Sequence, residues 1–200
     1  MLKKFYKATA LCAALVFSSS FNSALAESKS YSLDKAHTTV AFLIDHIGYA
    51  KTLGLFTDVS GSLNFDETTG LVSDIAITVN TASVNSANEA RDKHVRNKDF
   101  LDVKNHPEMT FSAASATLDD QGNAEINGEL TLLGTTLPLT LNATLNKAEN
   151  YPFGHKRFTL GVSATGALQR SAYGMDYGVA NALVGDQVDM IIEIEAIQDK

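Results

Sequence analysis

The sequence predicts an all-β fold: an eight-stranded antiparallel β-barrel with one short helix near residues 86–98. Three observations lead there. Apolar and polar residues alternate with period two over most of the chain, the pattern of strands with one face turned inward. The runs are separated by short turn signals, which join antiparallel neighbours. Only one segment has helical spacing.

The elements follow in chain order. Lys3, Lys4 and Lys7 precede an apolar run from Ala8 to Phe21 and a small-x-small pattern at Ala24-Leu25-Ala26. This layout reads as a secretory signal peptide, residues 1–26, cleaved after Ala26. The run is shorter than the ~20 residues needed to span a bilayer. Strands are predicted near 29–34, 37–46, 54–66, 71–81, 108–118, 123–133, 136–148 and 156–170, with a last one near 185–198; the pattern fits eight or nine. Val40, Phe42 and Ile44 set the inward face of the second. Ile75, Ile77 and Val79 set that of the fourth. Ile126, Leu130 and Leu132, then Leu139, Leu141 and Ala143, then Leu160, Val162 and Ala164, and finally Met190, Ile192 and Ile194 continue the series. Turns are marked by Asp66–Gly70, Asp119–Asn123 and Leu133–Thr136.

Ser86-Ala87-Asn88-Glu89 has the form of a capping box opening a helix through about Lys98. Glu89 and Lys93, and Asp92 and Arg96, are four apart and suit a solvated charge ladder. Arg91 and His94 then lean toward the protein. An ordinary solvated helix and a cationic rim for an anionic head group both fit this segment. Ion pairing of Arg91 with Asp92, Asp99 or Asp102 competes with the second reading. No repeat or linker divides residues 27–200, so a single domain is expected.

Long antiparallel sheets must dispose of their edges, and closure into a barrel removes them. Eight strands leave an interior that side chains fill or that holds one small ligand. The inward set mixes Phe42, Phe65, Phe111 and Phe158 with Ala113, Gly128, Ala143 and Ala164. Small inward residues either leave room for a ligand or accommodate barrel taper.

Composition excludes several classes. With 44% hydrophobic and 20% charged residues the chain is globular rather than disordered. A net charge of -7 argues against a nucleic-acid binder. The single cysteine, Cys12, leaves with the leader, so the exported chain uses neither thiol chemistry nor disulfides. The five histidines, His37, His46, His94, His106 and His155, have no metal-ligand spacing, although a pairing in space between strands stays open. GxSxG, GxxxxGK[ST] and GxGxxG are absent. No metal, cofactor or catalytic set is expected.

Glu89-Ala90-Arg91-Asp92-Lys93-His94-Val95-Arg96 followed by Asp99-Phe100-Leu101 resembles the signature of the YceI-like family of bacterial secreted proteins. So do His46-Ile47-Gly48-Tyr49 with Gly54-Leu55-Phe56 and Gly61-Ser62-Leu63, then Pro107, Thr110-Phe111 and Gly128–Gly134. The motifs occur in order along the whole exported chain. Arg170–Gly174 fits more loosely, with Ala172 where many members carry an acid. The resemblance implies an extended antiparallel barrel of lipocalin type that binds a long isoprenoid or similar amphiphile, and a possible homodimer. The bacterial style of the segment around Ala24-Leu25-Ala26 makes the periplasm the expected compartment, and with no second long apolar run no stable membrane insertion is expected.

The resulting expectation is a non-catalytic carrier of a polyisoprenoid or other long-chain lipid. Phe42, Ile44, His46, Phe56, Arg91, His94, Phe100 and Phe111 form its candidate ligand-binding set. Arg91 and His94 stand at the barrel mouth, against the lipid's polar end. The alternatives are a lipid- or quinone-modifying enzyme using His94 or His46 as base, and a stress-related structural protein with a dry core.

Overall fold

The computed structural model of the chain describes residues 28–200. The leader and cleavage site expected in residues 1–26 lie outside the described residues. Eleven strands and one α-helix follow: β1 (Lys29–Leu33), β2 (Thr39–His46), β3 (Ala50–Phe56), β4 (Val59–Asp66), β5 (Leu71–Asn80), β6 (Val84–Asn85), α1 (Glu89–Val95), β7 (Glu108–Thr117), β8 (Asn123–Leu132), β9 (Thr135–Asn150), β10 (Phe158–Gln169) and β11 (Val184–Gln198).

Eight strands close a ring in the order β1-β4-β5-β7-β8-β9-β10-β11, with β11 returning to β1. Every pairing is antiparallel. β11 is long enough to hold two partners on one edge: Ala196–Gln198 pair with β1, and Val184–Glu193 pair with β2. β3 then pairs with β2, and β6 with β3. Thus β1 and β2, β3 and β4, and β5 and β6 each act as one barrel strand broken midway. The breaks let the barrel lengthen at one end without adding a strand to its girth. There β6 joins the sheet through only Leu55↔Asn85 and Phe56↔Val84. The 86–107 segment, α1 included, is tied across that end. Arg96 Nε donates to the Ala82 carbonyl at 2.8 Å, and the Thr81 hydroxyl to the His106 carbonyl at 2.7 Å.

The strand expected over 54–66 is therefore two strands, β3 and β4, separated at Thr57-Asp58. Its first half escapes a period-two reading because Thr52 and Gly54 hold the inward positions. The hairpin before it turns at Ile47 and Gly48, both at positive φ. The helix is also shorter than expected. It is capped by Asn88, whose side chain accepts from Arg91 N at 3.0 Å, and it ends at Val95. Ser86 is buried instead, because Ala87 takes positive φ and turns the chain. The charge ladder does not form. Neither Glu89–Lys93 nor Asp92–Arg96 is an ion pair among the described residues. Asp92 is 7% exposed and accepts from Ser86 N and Oγ.

Elsewhere the period-two register holds apart from irregularities between Ser62 and Asn64 opposite β5 and between Gly161 and Val162 opposite β9. Phe111, Leu130, Leu141 and Leu160 are buried, each under 9% exposed, while Thr110, Glu129, Thr140 and Asn142 face out. The outer face is polar and cross-linked between strands, as in Thr144 Oγ1 to Asn123 Oδ1 at 2.8 Å and Ser163 Oγ to Glu193 Oε2 at 2.6 Å. Apolar inside and polar outside is the reverse of a membrane-spanning barrel. No helix among the described residues is long and apolar enough to cross a membrane.

Candidate ligand-binding site

Several inward residues are incompletely packed. Phe42, Ile77, Ile126, Met190, Ile192 and Ile194 are only half-buried although they point into the barrel. They keep accessible surface because they face a hollow. An outer cavity of about 430 Å³ opens at the α1 end. A deeper chamber of about 140 Å³ lies behind it. Val40, Met109 and Met190 line both, so the two spaces meet at one level of the barrel.

Small side chains make the deep space. Ala124, Ala143 and Ala164 stand in register on β8, β9 and β10, and Ala164 pairs with Ile192 on β11. All three alanines are buried and line the deep chamber. A larger residue on each strand would meet its neighbours at this belt, so the row sets the bore. Glycines do the reverse and receive rings. A Cβ on Gly54 would lie 2.2 Å from Phe42 Cζ, and one on Gly128 2.5 Å from Phe111 Cζ. Both aromatics are laid flat against the wall instead of across the bore.

Phe42, Ile44, His46, Phe56, Arg91, His94 and Phe100 line the outer cavity; Phe111 lines the deep chamber instead. Polar groups gather at the mouth. His94 Nε2 lies 3.1 Å from Asp99 Oδ2. The His94 ring meets Phe100 and Tyr177 edge-on, at 5.1 Å each, and those two are 5.2 Å apart. Arg91 gives its Nε to Ser86 Oγ and its Nη2 to the Ser86 carbonyl, both at 2.7 Å. Among the described residues it has no carboxylate within ion-pair distance. The pairing of Arg91 with Asp92, Asp99 or Asp102 is absent: Asp92 binds Ser86, Asp99 binds His94 and Asp102 accepts from Asn105.

The sequence reading missed Arg170. It is 1% exposed and lines the outer cavity. Its guanidinium donates to the carbonyls of Gly185 at 2.7 Å, Met175 at 2.8 Å, Tyr177 at 2.8 Å and Val184 at 3.0 Å. Burial lowers its pKa, while Asp186 and Asp176 oppose that shift. Its Cζ stands 5.7 Å from the Phe100 ring centre. Met175, Tyr177, Leu183 and Val184 also reach the cavity from the loop that Arg170 holds. That loop has no periodicity to read; the one signal was a cation in an apolar strand end.

Among the described residues, one group elsewhere could hold a metal by donor type. Asp34, His37 and Glu195 bring their donor atoms within 4.8 Å of one another at the break between β1 and β2. None of them lines either cavity. His37 Nδ1 is 2.8 Å from Asp34 Oδ2, and that bond raises the His37 pKa and lowers that of Asp34.

An apolar interior with polar groups confined to one end can hold a chain with its polar end at the mouth. The comparisons agree with that architecture. A YceI-like domain matches residues 31–196. Protein YceI of Escherichia coli O17:K52:H18 is 36% identical over 184 residues, covering 90% of this chain and 93% of its own. A UPF0312 protein of Pseudomonas paraeruginosa is 36% identical over 99% of this chain and 100% of its own. Among solved structures, a Campylobacter jejuni YCEI protein superposes with a TM-score of 0.70 at 26% identity, covering 78% of this chain and 90% of its own. Burkholderia cenocepacia BcnA superposes with 0.71 at 20%, covering 82% and 98%. A Saccharophagus degradans domain described as polyisoprenoid binding gives 0.61 at 15%, covering 86% and 99%. Fold, register and sequence together establish that the chain belongs to the YceI-like family.

Proposed function

We propose that this protein is a non-catalytic carrier that holds one long isoprenoid or similar amphiphilic lipid in its barrel. The observation that carries the reading is the apolar interior, two adjoining cavities that share Val40, Met109 and Met190 in their linings, with polar groups only at the α1 end. Apolar chain surface entering it leaves water, at about 25 cal/mol per Å² gross. Ordering a flexible chain offsets part of that gain. The S. degradans domain described as polyisoprenoid binding has the same fold and supports this ligand class. The cationic, apolar, small-x-small start of the sequence supports export to the periplasm. In that compartment a poorly water-soluble chain needs a protein to cover it.

Native mass spectrometry of protein purified from its own periplasm tests this, followed by solvent extraction. A released lipid, chemically unchanged and in near-stoichiometric amount, is expected. Protein that carries no lipid and takes up none from added prenyl lipids would overturn the reading.

The His94–Asp99 pair beside the cavity is the arrangement an enzyme would use as an oriented base. Conversion of a bound lipid that stops in His94→Ala would favour that second reading over the carrier.

A further inference from the structure

We propose that the outer rim of the barrel docks on the surface of an anionic phospholipid bilayer, through the β2–β3 hairpin and the β10–β11 loop with α1 beside them. The inference rests on the carrier reading above and adds the surface with which the carrier exchanges its lipid.

Exposed apolar side chains gather at this end. Among the described residues the large apolar side chains left exposed are Ile47, Tyr49, Leu53, Leu71, Phe153, Tyr177, Leu183 and Ile191. Ile47, Tyr49, Leu53, Tyr177 and Leu183 all belong to the β2–β3 hairpin and the β10–β11 loop. Tyr49, at the hairpin tip, is 89% exposed. Ile47 N donates to the Leu183 carbonyl at 3.3 Å, which ties hairpin to loop. The Tyr177 ring meets His94 of α1 at 5.1 Å, which ties loop to helix. The three segments thus make one surface. Ile47, Tyr177 and Leu183 are exposed and also line the outer cavity, so apolar surface runs from the cavity over its rim.

The hairpin departs from the polarity of the wall. Leu43 and Leu53 stand opposite each other on its outer face, where the other strands carry Thr, Asn, Ser and Glu. Phe42, Ile44 and Phe56 on its inner face line the cavity. A hairpin apolar on both faces is suited to cover on both.

Charge selects the cover. The chain has a net charge of -7, yet the 86–107 segment across this end exposes Arg91, Lys93, Lys98 and Lys104, with Glu89 as its one exposed acid. Asp92 is buried, and the half-buried Asp99 and Asp102 hold His94 and Asn105. In the hairpin, loop and adjoining strand, Asp45 accepts from Gly48 N, Asp186 from Ser171, and Asp189 pairs with Lys51; Asp176 is the exposed acid there. Exposed cations beside an apolar rim suit a surface of anionic head groups over an acyl boundary. A second copy seated rim to rim would set these cations against their own kind.

The chain contains no tryptophan, so Tyr49→Trp and, at the far end of β10, Phe153→Trp each give a single fluorescent reporter. Both variants are mixed with vesicles of phosphatidylglycerol and phosphatidylcholine, and with vesicles of phosphatidylcholine alone. Uptake of a C20 prenyl alcohol in solution is measured in parallel. On the mixed vesicles the emission of Tyr49→Trp is expected to shift to the blue and to be quenched by brominated acyl chains, while that of Phe153→Trp stays unchanged. Lys93→Glu combined with Lys98→Glu should weaken binding to mixed vesicles about tenfold or more and leave prenyl-alcohol uptake as it was. No shift in Tyr49→Trp, with uptake intact, would overturn the docking inference and leave the carrier reading standing. Equal shifts in both reporters would also overturn it, by showing adsorption without orientation. So would a shift that appears without vesicles and follows dimer formation in sedimentation, which would assign the rim to a second copy of the chain. If the protein takes up no prenyl alcohol, the carrier reading falls and the inference falls with it.

Discussion

Phe42 lies flat over Gly54 on the neighbouring strand, so close that a Cβ at position 54 would sit 2.2 Å from the ring's Cζ. The two residues are paired in register, and the ring covers the place where a side chain would be. Any side chain at 54 must push the ring off the wall and into the outer cavity. Gly54→Ala is therefore expected to fold with a loss of about 1–3 kcal/mol, the usual cost of overpacking. Under the carrier reading it also lowers the amount of lipid recovered per protein. Solvent extraction and quantification check this. Unchanged lipid content would show that the ligand does not use the space beside Phe42.

Arg170→Met should be among the more damaging single changes outside the aliphatic core. It keeps similar bulk but leaves the carbonyls of Gly185, Met175, Tyr177 and Val184 without their common donor. A loss of about 3 kcal/mol is expected from acceptors stranded in a buried setting. Urea unfolding measures it. Hydrogen exchange should show faster exchange in residues 174–185, the segment these bonds hold.

The Asp34–His37 bond makes the β1–β2 break sensitive to pH. The bond to His37 is the main reason the Asp34 carboxyl lies below its ordinary 3.8. Its contribution is present above 3.8 and lost as pH falls through the lowered folded value. The bond to Asp34 is the main reason His37 lies above its ordinary 6.5, with Glu195 adding to it. That contribution is present below 6.5 and lost as pH rises through the raised value. The pair thus works fully only between about pH 4 and 6.5. The stability difference between native protein and Asp34→Asn should be largest in that window and shrink on both sides. A difference independent of pH from 3 to 9 would show that the pair contributes nothing through charge.

Ser86 and Asn88 separate the two roles that one capping box was expected to combine. Asn88→Ala removes a helix cap and should cost about 1 kcal/mol. Ser86→Ala takes a hydroxyl donor from buried Asp92 and an acceptor from Arg91, and should cost about 1–3 kcal/mol. Thermal or urea unfolding of both variants gives the order. A larger loss for Asn88→Ala would place the weight on the helix end rather than on the buried cluster.

These cases show where the sequence was readable. Strands such as β9 announce themselves because every inward position from Leu137 to Leu145 is apolar and most outward ones are polar. The barrel, its polarity and the small inward residues follow from that. The break between β1 and β2 was read, as strands near 29–34 and 37–46, but that between β3 and β4 was not, because Thr52 and Gly54 interrupt the apolar row where the wall borders the mouth. The helix start was misplaced because Ser86 and Asn88 both satisfy capping chemistry, and only the positive φ at Ala87 decides between them. Much of the mouth comes from the β10–β11 loop. There the residues have no period, and burial of a cation depends on carbonyls brought in by the chain's return. Sequence reasoning placed Arg91 and His94 toward the cavity but passed over Arg170, whose one signal was a cation at an apolar strand end.

The alanine belt gives a test of how far the ligand reaches. Ala124, Ala143 and Ala164 line a chamber of about 140 Å³ at the deep end of the bore. If the chain's tail lies there, filling the chamber from the wall must shorten the ligand that fits. Ala143→Leu places a branched side chain in the middle of the belt, between two other alanines with which it is in register. Because the chamber is a void, the new methyl groups can enter it with less strain than in a packed core. The variant is expected to fold with a stability change under about 1.5 kcal/mol. Binding should then split by length: a C10 prenyl chain keeps its affinity, and chains of C20 or longer lose about tenfold or more as their last methylenes are excluded, at about 0.8 kcal/mol each. Titration with a prenyl series on native and variant protein reads this directly. Equal weakening of short and long chains would mean a general distortion of the barrel. No weakening of either would mean that the tail stops in the outer cavity, above Val40, Met109 and Met190.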